Sequence, residues 1–177
     1  KSLPMRLPLI CILYLCLAGC LGAPDNVVPV KEFELDRYLG QWYEIARLDH
    51  SFERGLDAVS ANYSLRDDGG IRVLNSGVER ETGALSQAEG RAYFVEDSST
   101  GYLKVSFFGP FYGSYIIFDL DPDGYEYAFV AGNSTDYLWL LARSPQVSDE
   151  LMANFVNQAE TLGFDVGNLI VVNHQVN

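Results

Sequence analysis

The sequence predicts an all-β fold: an eight-stranded antiparallel up-and-down β-barrel, followed by one C-terminal α-helix and a short final strand. Two observations predict it. Between residues 42 and 143, short aromatic and β-branched runs alternate with turn residues and show no helical periodicity. After residue 148 the apolar residues recur at helical spacing instead. Eight strands in simple succession can close on themselves, which removes both sheet edges and leaves an interior just large enough for one small ligand.

The second and third strands give the clearest hairpin signal. Residues 59–66 alternate strictly between apolar and polar side chains, and Asp67-Asp68-Gly69-Gly70 predicts a turn into residues 71–78. Alternating runs and further turns at residues 121–124 and 132–133 predict the other strands in the same way. The eight predicted strands are residues 42–49, 59–66, 71–78, 87–96, 102–108, 112–120, 125–131 and 137–143.

The predicted helix covers residues 149–162. Ser148 supplies the N-cap, acidic residues occupy the first turn, and Gly163 ends the helix. Its apolar residues form a single stripe, so the helix is expected to pack against the outside of the barrel. Residues 169–172 then supply a short final strand, which we expect beside the first strand.

The first 20 residues predict export. Lys1 and Arg6 precede an apolar run over residues 7–17, which is too short to span a membrane but has the length of a secretory signal. Leu17-Ala18-Gly19-Cys20 resembles the bacterial lipobox, which implies cleavage before Cys20 and attachment of diacylglycerol and an N-acyl chain to that residue. The alternative is an ordinary signal peptide in which the cysteine is incidental.

The lipobox resemblance divides the chain into three parts. Residues 1–19 are the signal, residues 20–32 are the lipidated cysteine and a Pro-containing tether, and residues 33–177 are the barrel domain. Leu21 is not the Asp that retains lipoproteins at the inner membrane, so the resemblance implies an outer-membrane anchor on the periplasmic face. Two or more acyl chains would hold the protein stably on the bilayer.

The charge excludes some partners. The formal net charge is −12, and it becomes −14 without the signal because Lys1 and Arg6 are removed while all 24 acidic residues remain. This balance argues against nucleic acid and against electrostatic attraction to anionic lipid. Since Cys11 and Cys16 would leave with the signal, Cys20 would be the only mature cysteine, and no internal disulfide could form.

Three short motifs carry a family resemblance. Gly40-Gln41-Trp42-Tyr43 opens the first strand, Thr135-Asp136-Tyr137 opens the eighth, and Arg143 ends it. In this order, on a barrel followed by one helix, they resemble the signature regions of the lipocalins. The resemblance implies a structural role for Gly40, Trp42, Thr135, Asp136, Tyr137 and Arg143, with the Arg143 guanidinium over the Trp42 ring at the closed end of the barrel.

Longer segments resemble the bacterial outer-membrane lipocalins over nearly the whole chain. They are residues 37–40, 42–47, 52–56, 63–70, 104–113 and 136–139. That resemblance implies binding of fatty acids and, preferentially, of lysophospholipids, a homodimer, and a role in envelope stress or lipid handling. The residues themselves agree that an apolar barrel could surround an acyl chain, whose burial yields about 0.8 kcal/mol per methylene, but they leave the head group open.

Six aromatic residues are candidates for the cavity. Trp139 shares the alternation of Tyr137 and Leu141, which favours the cavity over the surface beneath the helix. The weaker candidates, which could equally serve packing, are Tyr112, Tyr115, Phe94, Phe107 and Tyr127. Residues 108–113 form an aromatic bend at one end of the barrel, where either ligand gating or a dimer contact could use it.

Other function classes find less support. His50 and His174 are the only imidazole bases, and no His/Cys cluster has zinc spacing, so we expect no catalysis, metal or cofactor. One alternative is a structural envelope lipoprotein whose barrel is a partner-binding module. A haem or pigment binder is the other alternative, but haem needs an axial ligand inside the cavity and His50 lies at a strand end.

Overall fold

The structure is a computed structural model, and it describes residues 21–175. Its main element is a sheet of nine antiparallel strands. The strands are β1 (Gly40–Arg47), β2 (Leu56–Leu65), β3 (Ile71–Glu79), β4 (Leu85–Phe94), β5 (Tyr102–Ser106), β6 (Gly113–Leu120), β7 (Tyr127–Ala131), β8 (Leu138–Ala142) and β9 (Ile170–Val171). The helices are α1 (Leu35–Tyr38) and α2 (Asp149–Thr161), with a 3₁₀ turn at Val166–Asn168.

The first eight strands close into a barrel. Each of these strands pairs with the next one along the chain, and β1 pairs with both β2 and β8. Strand β9 pairs with Ala46 and Arg47 of β1, beyond the part of β1 that pairs with β2. The predicted barrel, helix and final strand are therefore confirmed. Strand ends differ from the prediction by up to three residues. The short helix α1 was not predicted, since four residues are too few to show a helical period.

Alternating side chains build two apolar clusters on the two faces of the barrel wall. Along β8, Leu138 and Leu140 point outward, where they join Phe155 of α2, whereas Leu141 points inward with Trp42 of β1. Helix α2 begins as predicted, because the Ser148 Oγ accepts a hydrogen bond from the Leu151 N–H. The helix thus covers the outer wall and leaves the interior to the strands.

One end of the barrel is closed by Trp42. The residue is fully buried, and its Nε1 donates to the Tyr38 carbonyl oxygen at 2.7 Å. The Arg143 guanidinium lies 4.0 Å from the centre of the indole and donates to the carbonyl oxygens of Gln41 and Arg37. Gly40 adopts φ +94° just before this contact, a conformation that side chains disfavour.

The segment before the first helix is packed against the barrel. Pro24 and Val27 are buried, and the Val30 N–H donates to the Ile117 carbonyl oxygen at 2.9 Å. Part of the segment that the sequence predicts as a tether is therefore packed against the barrel. The whole of the predicted signal, residues 1–19, and Cys20 lie outside the described residues. Over residues 21–175, no helix has both the length and the apolar character needed to cross a bilayer.

Candidate functional site

The barrel contains a cavity that opens at the end opposite Trp42. It measures about 410 Å³, within the range of small-molecule sites. The loops after β1, β5 and β7 contribute to its rim. Its wall is mainly aromatic and aliphatic, and it includes Val59, Ala61, Tyr63, Val73, Val105, Phe107, Tyr115, Tyr137, Trp139 and Leu141.

A second cavity of about 640 Å³ adjoins the first towards β3, β4 and the loop after β5. Phe52, Glu53, Asn75 and Phe107 line both cavities, so the two form one continuous space at the mouth. This second part is bordered by Phe108 and Tyr112 on the loop between β5 and β6. Together the two parts provide a space large enough for a small lipophilic molecule.

Tyr63 and Tyr115 line the inner end of the cavity, and their hydroxyls form a hydrogen-bonded group with that of Tyr38. The Tyr115 hydroxyl lies 2.7 Å from that of Tyr38 and 2.8 Å from that of Tyr63. Burial raises the pKa of Tyr115 and of Tyr63, so both phenols remain neutral and continue to hydrogen-bond one another. The inner end of the cavity therefore presents polar groups that are already partnered, between the Trp42 ring and the open space.

A β-bulge in β1 brings two charged residues to the inner side of the wall. Between Glu44 and Ala46, β1 advances two residues while β8 advances only one, from Leu141 to Leu140. In a regular strand, residues three apart point to opposite faces, but the extra residue, Ile45, restores Arg47 to the face of Glu44. The Arg47 Nη1 donates to the Glu44 Oε1 at 2.6 Å.

Glu53, on the loop between β1 and β2, completes a buried polar cluster. The Trp139 Nε1 donates to the Glu53 Oε2 at 3.3 Å, and the His50 Nε2 lies 2.9 Å from the same oxygen. Glu44 and Glu53 are only 3% and 6% exposed, yet both line the cavity. We call Glu44, Arg47, His50 and Glu53 the acid cluster.

The two carboxyl groups of the acid cluster have opposite pKa shifts. Burial raises the pKa of Glu44 well above its usual value, the neighbouring charge of Glu53 raises it further, and Arg47 only partly opposes this. Burial also pushes the pKa of Glu53 upward, but contacts with His50, Glu44 and Trp139 outweigh burial and lower it. As the pH falls, Glu44 is therefore the member of the pair that binds a proton first.

His50 fits a supporting role better than that of a haem ligand. Its ring stacks on Phe52 at 3.9 Å between centres and lies 5.2 Å from Trp139. Although its Nε2 is close to Glu53, neither ring nitrogen has a partner in hydrogen-bond geometry among residues 21–175. The ring is absent from the cavity wall, where an axial ligand would have to lie.

The structure separates the six cavity candidates into two groups. Trp139 and Tyr115 line the first cavity, Tyr112 lines the second, and Phe107 lines both. Phe94 instead packs against Phe33 towards the closed end. Tyr127 lies on the outer wall 5.2 Å from Phe129, so its expected place in the cavity was wrong. The pairing register between β7 and β8 explains this position. Tyr127 pairs with Ala142 of β8, whose side chain belongs to the cluster on the outer face.

The remaining signature residues lie at the two ends of the barrel. Gly40, Trp42 and Arg143 meet at the closed end. Thr135 and Asp136 are exposed in the turn between β7 and β8, where the Asp136 N–H bonds to the Ser134 hydroxyl. Tyr137 follows this turn and lines the cavity.

The acid cluster is the part of the site that the sequence analysis missed. A signal for Glu44 existed, because it follows Trp42 by two residues and so shares its inward face. No sequence signal marks the bulge that turns Arg47 inward, and Glu53 comes from a loop, where periodicity carries no information. Among the described residues, no three His, Cys, Asp or Glu side chains are grouped as a metal site would require.

Comparison with known proteins agrees with this architecture. Residues 33–174 match the family described as lipocalin-like domain. The chain belongs to the lipocalin family. This lipocalin is 55% identical to the outer membrane lipoprotein Blc of Vibrio cholerae over 171 residues, covering 97% of this chain and all of that protein. It is 51% identical to the Escherichia coli protein of the same name, over 84% of each chain.

A solved lipocalin structure has the same fold at low sequence identity. Insecticyanin from the tobacco hornworm Manduca sexta superposes with a TM-score of 0.68 at 23% identity, covering 86% of each chain. At this identity the likeness concerns the fold alone. A lipocalin barrel is a binding fold for small ligands, which agrees with the open cavity described above.

Proposed function

We propose that this lipocalin is an acylated outer-membrane lipoprotein that binds fatty acids and lysophospholipids and stores or transports them in the cell envelope. The observation that carries the proposal is the open, largely apolar cavity of the barrel, with Glu44 and Glu53 among its lining residues. Each methylene that enters such a space contributes about 0.8 kcal/mol, so about a dozen methylenes outweigh the cost of ordering the ligand.

The acid cluster supports a preference for lysophospholipids. A fatty acid presents a carboxylate, which the buried charge of Glu53 repels in a medium of low dielectric constant. A zwitterionic head group carries an ammonium as well as a phosphate, and the ammonium can approach Glu53 favourably. The same cavity therefore accepts either acyl chain but distinguishes between their head groups.

Two observations support the envelope location. The relatives that share half or more of their residues with this chain are named outer membrane lipoproteins. In addition, the residues before the barrel contain the lipobox-like sequence ending at Cys20. We therefore place the acylated Cys20 in the periplasmic leaflet of the outer membrane, with a homodimer as a further expectation that the resemblance carries.

Titration with single-chain lipids tests the binding proposal. Because the Trp139 indole lines the cavity while Trp42 is sealed at the closed end, lysophospholipid binding should change the tryptophan emission, and Trp139→Phe should remove most of that change. Affinity should rise about fourfold per added methylene until the cavity is full, since each methylene contributes about 0.8 kcal/mol. Beyond that length the affinity should level off.

The control for this titration is a binding assay that does not use tryptophan, such as native mass spectrometry on the delipidated Trp139→Phe protein. It should show that this variant still binds lipid. If a folded, delipidated barrel gives no saturable response to any single-chain lipid, the proposal is wrong and the structural-lipoprotein alternative gains support.

Replacing Cys20 tests the anchor. Cys20→Ser removes the thiol that would carry diacylglycerol, so the protein should keep its signal or leave the outer-membrane fraction. Cell fractionation and the intact mass of the protein measure this result. An unchanged mature mass together with unchanged outer-membrane fractionation would contradict acylation at Cys20.

A further inference from the structure

We infer that the cavity selects ligands whose head group carries a positive charge, and that it therefore also binds single-chain amines that contain no phosphate. The inference rests on the proposed binding of single-chain lipids in this cavity and extends the class of ligand. Three features of the described residues carry it: the charges that line the cavity, the partners that Arg47 already has, and the uncharged groups beside the two carboxyl groups.

The charged side chains that line the cavity are acidic. Glu44 lines the first cavity and Glu53 lines both, and within residues 21–175 no Lys, Arg or His side chain lines either of them. An anionic head group would therefore enter a space of low dielectric constant that offers it repulsion and no cation. A cationic head group would meet the Glu53 carboxylate with few water molecules between them, where a charge-assisted hydrogen bond is strong.

The cation of the acid cluster already has other partners. The Arg47 Nη1 donates to the Glu44 Oε1 at 2.6 Å, and its Nη2 donates to the backbone carbonyl oxygen of Glu53 at 3.0 Å. The Arg47 side chain is 2% exposed, and it does not line the cavity. Among the described residues, the Glu53 carboxylate has no Lys or Arg within salt-bridge distance, and only His50 lies at 2.9 Å. Arg47 thus balances Glu44 and leaves Glu53 available to a cationic ligand.

The uncharged groups beside the carboxyl groups also suit an ammonium. Phe52, Tyr137 and Trp139 line the same cavity as Glu53, and aromatic faces attract cations. Asn75 lines both cavities, and its Oδ1 is buried without a hydrogen-bond partner in the part of the chain that the structure describes. A protonated amine brings the N–H donors that this acceptor lacks.

Binding of an amine should release a proton from Glu44. Burial and the charge of Glu53 raise the pKa of Glu44, so the folded protein keeps a proton there above the usual carboxyl range. An ammonium beside the pair favours ionisation of both carboxyl groups, and the proton then passes to solvent. The other titratable groups that face the pair are Arg47 on β1, His50 on the following loop and Tyr63 on β2.

Three ligands with the same chain length test the preference for charge. At pH 7, dodecylamine is positive, monododecanoylglycerol is neutral and dodecanoate is negative. Isothermal titration of the delipidated full-length protein, below the micelle concentration of each ligand, measures the three affinities. Dodecylamine should bind about tenfold tighter than the neutral ligand, and dodecanoate should bind about tenfold more weakly, because the chain contributes equally and only the head-group charge differs.

Glu53→Gln removes the charge that should carry the preference and keeps the size of the side chain. The affinity for dodecylamine should fall about tenfold in this variant, whereas the affinity for monododecanoylglycerol should stay unchanged, which also shows that the variant is folded. Glu160→Gln, an exposed carboxylate on α2, controls for the change in net charge and should leave all three affinities unchanged.

The pH dependence of amine binding tests the role of Glu44. Between pH 5 and pH 8 the affinity for dodecylamine should rise in the parent protein and in His50→Gln, but not in Glu44→Gln, because Glu44 gives up the proton. A rise that disappears in His50→Gln and persists in Glu44→Gln would assign the released proton to His50 and contradict this step.

The outcomes separate this inference from the proposed function. If the barrel binds lysophospholipid but gives equal affinities for the three ligands, or binds dodecanoate most tightly, the preference for positive charge is wrong and the proposed function stands. If dodecylamine fails to bind a barrel that binds lysophospholipid, the extension to amines is wrong in the same way. If no single-chain lipid binds at all, both the proposed function and this inference are refuted.

Discussion

The two ends of the barrel differ in how their aromatic side chains are packed. At the closed end, the Trp42 ring is covered by Arg143 on one side and packs 4.7 Å from Tyr38, and its ring nitrogen is bonded. At the mouth, Phe52, Phe108 and Phe111 are exposed to solvent and the cavity remains open. At the closed end, apolar side chains are buried and stabilise the folded protein, whereas at the mouth apolar surface remains available to a ligand.

Polar groups differ between the ends in the same way. At the closed end, the ring nitrogen of the buried Trp42 and the guanidinium of the half-buried Arg143 both donate to backbone carbonyl oxygens. Around the mouth, the Arg47 Nε, the His50 Nδ1 and the Asn75 Oδ1 are buried without hydrogen-bond partners among the described residues. Unpaired buried groups cost stability, and they concentrate where a protein binds something. The closed end therefore contributes mainly to stability, and the mouth contributes mainly to binding.

The largest expected effect comes from breaking the closed end. Trp42→Ala removes a fully buried ring and leaves Arg143 without its stacking partner, so the free energy of unfolding should fall by about 3–5 kcal/mol. Chemical denaturation followed by circular dichroism measures this loss. Trp139→Phe, a smaller change at the mouth, should cost less than about 1.5 kcal/mol.

These two variants together test the division between the ends. The change in tryptophan emission on lysophospholipid binding should follow the opposite order: Trp139→Phe should remove most of it, and the folded fraction of Trp42→Ala should retain it. If the two substitutions destabilise the protein equally, Trp42 is not the residue that closes the barrel.

Most of the fold was predictable because its signals are local and repeated. Alternation along Val59–Leu65 and the stripe of α2 each depend on one element burying one face. Trp139 and Leu141 were placed correctly on the inner side of β8 for the same reason. Tyr127 was misplaced because its face depends on register with β8, which the residues of β7 alone do not specify.

The acid cluster was not predictable as a unit. It depends on a bulge at Ile45, on a loop residue from a different element, and on the contact of Trp139 with Glu53, which are 86 residues apart. The packed N-terminal segment was missed similarly, since its hydrogen bonds reach Ser114 and Ile117 far along the chain. Long-range contacts between irregular segments leave no periodic trace in a sequence.

A smaller effect concerns the titration of the acid cluster at the mouth. Because the folded-state pKa of Glu44 is raised, the folded protein keeps a proton that the unfolded chain releases near the usual carboxyl pKa. This contribution to stability is complete below the unfolded pKa and is lost as the pH rises towards the folded one. The lowered pKa of Glu53 acts in the other direction and matters only at more acidic pH.

Glu44→Gln removes this titration while keeping an oxygen that can accept from Arg47. The free energy of unfolding of the variant relative to the parent should therefore improve with rising pH, by about 1.4 kcal/mol per pH unit across the window between the two pKa values. Denaturant midpoints at pH 5, 6.5 and 8 measure the slope, and Glu160→Gln, an exposed carboxylate on α2, controls for net charge. A constant gap at all three pH values would mean that Glu44 costs no stability when it ionises. In that case, the loss of stability at the mouth would come from its unpaired buried polar groups and not from the ionisation of Glu44.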